Sequence, residues 1–108
     1  MEKHSILNDI DLNSKEEIFS DLLKNKNVRI ERIVSTGQTS PKDFWYDQDE
    51  NEFVLLLEGE AILEFKEEDK VKEVKLNKND YIDIKAHVKH RVKYTDTNNP
   101  TIWLAVFY

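Results

Sequence analysis

Cysteine is absent from the 108-residue sequence, which removes disulfides and zinc–thiolate centres from consideration. Glycine and proline occur only twice each, too sparsely for long flexible linkers. No apolar run is long enough to cross a membrane as a helix. The opening residues, MEKHSILNDIDL, lack the basic stretch and apolar core of a secretory signal, so a cytoplasmic location is expected. Positive charge is in deficit as well: 16 Lys and Arg stand against 22 Asp and Glu, for a formal net charge of −6. Lysines gather in KEEDKVKEVKLNK, but acidic residues interrupt them and no basic stripe survives. Nucleic acid and membrane are therefore not the expected partners.

What remains is one domain's worth of chain with a single modest core. Residues 1–27 read as an arm and a short helix packed on the body, and residues 28–108 as the body itself. Within the arm, Ser14-Lys15-Glu16-Glu17 has capping-box spacing. Ile18, Phe19, Leu22 and Leu23 then recur as on one helix face, which predicts a short amphipathic helix to about Lys24.

From Val28 the pattern changes to strands. VRIERIVS, EFVLLLEG, EAILEFK, VKEVKL, DYIDIK, HRVKYT and TIWLAVFY are short runs rich in β-branched and aromatic residues, separated by turn-forming clusters. Alternation places His90 with Val92 and Tyr94 on the apolar side of its strand. Phe53–Leu57 and Ile102–Phe107 are apolar on both faces, as strands inside a sheet are. Trp103 and Phe107 are expected in the core or at a homodimer interface. The fold class is all-β, a sandwich or barrel with one N-terminal helix.

Two stretches carry chemistry. In the first, Glu52 opens an apolar strand and six residues, FVLLLE, separate it from Gly59. The second runs Lys78-Asn79-Asp80, a short strand, a turn holding His87, and then His90. Together they resemble the motifs of the cupins, small β-barrels of the double-stranded jelly-roll type, over roughly Val28 to Tyr108. The proline and glycine that precede the family's aspartate are here Lys78 and Asn79. The His-x-His pair that precedes its glutamate is replaced by Tyr46-Asp47-Gln48, or by Trp45-Tyr46-Asp47 one residue earlier.

The resemblance implies a polar site in the barrel. Glu52 and His90 keep ligand positions, and Gln48 offers an amide oxygen, Asp47 a carboxylate and His87 a second imidazole. Such a set implies a divalent metal (manganese, iron, nickel or zinc), with a metal-free cavity as the alternative. Trp45 and Tyr46 are candidates to stack on, and hydrogen-bond to, a bound molecule. Three functions stay open at this point: a metal-assisted enzyme acting on a small polar molecule, a metal-free binding or sensor module, and a structural homodimer.

Overall fold

The computed structural model describes residues 1–108. Eight strands and no helix make up the chain: β1 (Ile18–Lys24), β2 (Arg29–Ser35), β3 (Glu52–Glu58), β4 (Ala61–Glu67), β5 (Lys70–Leu76), β6 (Tyr81–Ile84), β7 (Lys89–Thr95) and β8 (Thr101–Phe107). A five-stranded sheet in the order β1-β2-β8-β3-β6 faces a three-stranded sheet in the order β5-β4-β7. Every pairing is antiparallel. The result is a double-sheet jelly roll.

The expected helix over Ser14 to Lys24 does not form. Residues 18–24 are instead the edge strand β1, paired along its length with β2. A short isolated helix is marginal in water, whereas the free edge of β2 supplies backbone partners at once. The helix-like spacing of Phe19, Leu22 and Leu23 comes from a register shift between Asp21 and Leu23, where a β-bulge accommodates Leu22. The Ser14 hydroxyl caps no helix; it accepts from the Glu16 N–H at 3.2 Å and donates to the Glu16 carbonyl at 2.8 Å. Ahead of β1, the arm is pinned by Arg32, whose guanidinium donates to the carbonyls of Ile6, Asn8 and Asp9.

Both runs that are apolar on two faces lie inside the five-stranded sheet: β8 between β2 and β3, and β3 between β8 and β6. Trp103 and Phe107 point into the core rather than outward, at 4% and 6% exposure. Opposite them, Ala61 and Leu63 of β4 and Leu76 of β5 close the interior. Lys70, Lys72, Glu73 and Lys75 face solvent on β5, where they blunt an edge strand against pairing with other chains. Asn79 fills the position of the family's glycine with φ +75°, a left-handed conformation that asparagine tolerates better than most residues. Asp80 then accepts from the Asn77 N–H at 2.8 Å and closes the turn into β6.

Candidate functional site

Strand alternation builds the site. On β3, Glu52 and Val54 share the inward face with Phe107 and Ala105 of β8, which sit directly opposite them in register. Segment 46–48 lies beside the start of β7: Tyr46 and His90 form a β-bridge, with N–H···O bonds of 2.8 and 3.1 Å in the two directions. Because side chains alternate, Tyr46 and Gln48 turn inward and Asp47 turns out. These elements border a half-open cavity of about 140 Å³, walled mainly by apolar side chains. Glu17, Tyr46, Gln48, Glu52 and His90 are its polar lining.

His90 is the best-defined member. Its Nδ1 lies 2.9 Å from the Val88 carbonyl. A carbonyl can only accept, so Nδ1 carries a proton. Nε2 is left facing Glu52 Oε1 at 3.5 Å, both side chains nearly buried. An imidazole lone pair and a carboxylate repel unless a cation lies between them. Burial acts to lower the His90 pKa, but the Glu52 carboxylate and the Val88 carbonyl outweigh it and hold it above the ordinary 6.5. Once protonated, Nε2 can donate to Glu52 and complete the pair. Since the folded value lies above the unfolded one, this contribution to stability is complete below about pH 6.5 and is lost as pH rises through the folded value. Tyr46 stacks on the same imidazole, with ring centroids 5.7 Å apart and planes 26° apart. Burial, then the nearby Glu17 and Glu52 charges, push its phenol pKa up.

Gln48 presents a different feature: its side-chain oxygen is buried and has no hydrogen-bond partner. Such an atom costs about 1–3 kcal/mol relative to one that is satisfied.

Not every candidate residue reaches the cavity. His87 sits in the exposed turn before β7 with φ +66° and pairs there with Asp47 at 2.8 Å and Asp49 at 3.4 Å. Trp45 turns away from the cavity lining, and the Lys66 ammonium stands 5.8 Å above its ring. Conversely, Glu17 and Phe19 do line the cavity, although the helical reading placed them elsewhere. Read as a strand, the i, i+2 spacing of Glu17 and Phe19 is the signal that would have found them.

A resident divalent ion needs three or four good donors. One imidazole and one carboxylate approach each other here, His90 and Glu52; Gln48 adds a neutral amide oxygen, and the Glu17 carboxylate in the same lining is engaged by the Ser35 hydroxyl. No group of three His, Cys, Asp or Glu side chains lies close enough to hold a metal. The donor set does not fit such an ion.

A family model described as "Cupin domain" matches residues 31–107. A protein from Ralstonia eutropha JMP134, provisionally described as a mannose-6-phosphate isomerase, is 37% identical, with 99% of this chain and 97% of that chain covered and a TM-score of 0.91. The hydroxypropylphosphonic acid epoxidase of S. wedmorenis is 20% identical at a TM-score of 0.72, with 89% of this chain covering 52% of that one. A cupin superfamily protein from Desulfitobacterium hafniense DCB-2 is 17% identical at a TM-score of 0.73, covering 91% of this chain and 82% of that one. At those two identities the likeness is one of fold. No curated protein matches the sequence. With most of its length matched by the family model and this architecture, the chain belongs to the cupin family.

Proposed function

We propose that the protein binds a small organic molecule in the barrel cavity, without a resident metal ion. The molecule's polar end rests on Gln48 and the Glu52–His90 pair, and its body rests on the apolar wall that includes Val54 and Trp103. The observation that carries this reading is the buried, unpartnered oxygen of Gln48 in a cavity that is otherwise largely apolar. Turned toward the cavity, that oxygen would accept from a ligand N–H or O–H. The volume suits the purpose, because an apolar cavity of about 150 Å³ holds a benzene-sized molecule.

A phosphorylated sugar, the substrate named for the Ralstonia relative, suits this cavity poorly. No lysine or arginine lines it, whereas phosphate recognition draws on such cations or on clustered backbone N–H groups. The pair at His90 can hold and return a proton at Nε2, so a bound carbonyl or hydroxyl would meet an acid–base group.

Thermal melts with benzyl and isobutyl alcohols, amines, carboxylates and amides test the reading. A ligand present at 100 times its Kd stabilises by about 2.7 kcal/mol, a shift easily read. Gln48→Leu should raise the stability of the free protein by about 1 kcal/mol, because it removes the unsatisfied oxygen, and should abolish the ligand shift. A destabilised Gln48→Leu, or no shift with any probe, would contradict the reading.

A further inference from the structure

Three ionisable side chains other than Tyr46 line the cavity: Glu17, Glu52 and His90. Glu52 and His90 face each other at 3.5 Å, and a proton on Nε2 lets them compensate each other. Glu17 has no such partner. Its Oε2 accepts from the Ser35 hydroxyl at 2.5 Å, and Ser35 Oγ in turn accepts from Trp103 Nε1 at 3.1 Å. Both partners are neutral. This relay fixes the carboxylate in the cavity wall without neutralising it.

An ionised carboxylate in a largely apolar cavity is costly unless a cation stands beside it, and no lysine or arginine lines the space. The Arg29 guanidinium lies 4.1 Å over the Phe107 ring, but it is engaged by Glu31 and Glu50, each at 3.1 Å. Aromatic side chains occupy much of the remaining wall: Tyr46, Trp103 and Phe107, with the largely exposed Phe19 bordering it. Aromatic faces attract cations and repel anions. The orphaned Gln48 oxygen adds an acceptor with nothing to accept.

We infer that the occupant of the cavity is a small organic ammonium ion, with Glu17 as its counter-charge, Gln48 as a further N–H acceptor and the aromatic wall around its body. This rests on the binding reading given above and specifies its ligand. Glu17 enters from the segment just before β1, outside the 31–107 match, so specificity is supplied by the N-terminal segment rather than by the barrel motifs. In the free protein, burial raises the Glu17 pKa against the opposing effect of the Ser35 bond. A raised folded value means that stability falls as pH rises through it. The ligand's charge removes that penalty.

The test compares benzylamine, benzyl alcohol and benzoate by calorimetric titration at neutral pH, on wild type and on Glu17→Gln. The glutamine keeps an acceptor for Ser35 and removes the charge, so this variant should melt no lower than wild type. The amine is expected to bind about tenfold more tightly than the alcohol, benzoate not at all, and the amine's advantage should vanish in Glu17→Gln. Preference for the alcohol or for benzoate overturns the ammonium assignment and leaves the binding cavity standing. An amine preference that survives in Glu17→Gln overturns the role of Glu17. If none of the three binds, both readings fall.

Discussion

Gly59→Ala should cost about 3 kcal/mol or more, enough to remove much of the stability of a domain this size. Gly59 turns the chain between β3 and β4 with φ +86°, a conformation that an L side chain adopts only under strain. Space is the second obstacle. A Cβ placed there would stand 2.4 Å from Thr101 Oγ1, 2.7 Å from the Pro100 carbonyl oxygen and 2.7 Å from Thr101 Cα. Two of those three atoms are backbone. Thr101 cannot retreat cheaply, because it is fully buried at the start of β8, the strand at the centre of the larger sheet. Any shift there would propagate into the β3–β8 pairing, which positions Glu52 opposite Phe107. Urea denaturation would measure the loss. A cost below about 1 kcal/mol would show that the turn relaxes without disturbing β8.

Trp103→Ala should destabilise by about 3–5 kcal/mol, the range for deleting a large buried aromatic side chain. Trp103 is 4% exposed and belongs to the main core cluster with Leu56 and Ile33. It also forms part of the cavity wall, and its Nε1–H fixes Ser35. Truncation would therefore both empty the core and release the relay that holds Glu17. Trp103→Phe separates these effects. Phenylalanine keeps most of the apolar contact and loses only the donor, so its cost should be near 1 kcal/mol. If the two variants lose equal stability, the hydrogen bond to Ser35 rather than packing dominates at this position.

How far the sequence disclosed this structure depends on which residues had a single physical explanation. Phe53–Leu57 and Ile102–Phe107, apolar on both faces, had to be inner strands, and β3 and β8 are. The alternation around His90 put it on the inward face, where it meets Glu52. Tyr46 and Gln48 were legible through the family spacing, and both reach the cavity, whereas Trp45, put forward beside Tyr46, does not line it. Segment 14–24 was misread because a β-bulge imitates helical spacing over so short a run. Only the free edge of β2, a tertiary fact, decides between the two. That error hid Glu17 and Phe19. His87 was ambiguous for another reason: a turn histidine can point either way, and Asp47 and Asp49 draw it outward. The unpartnered state of Gln48 Oε1 could not be read from sequence, since satisfaction of a polar atom depends on every neighbour.

A proton, rather than a metal ion, is the proposed link between His90 and Glu52. Nitrogen-detected NMR of the His90 ring, recorded against pH and then with added manganese, iron(II), nickel or zinc, addresses this directly. Protons are expected on both ring nitrogens at mildly acidic pH, with a midpoint above 6.5 that falls in Glu52→Gln, where only the Val88 carbonyl still opposes burial. The spectrum should be indifferent to one equivalent of each metal. An Nε2 that is unprotonated throughout, or that shifts or broadens stoichiometrically with one of these ions in wild type but not in Glu52→Gln, would contradict it and restore a metal centre to this cavity.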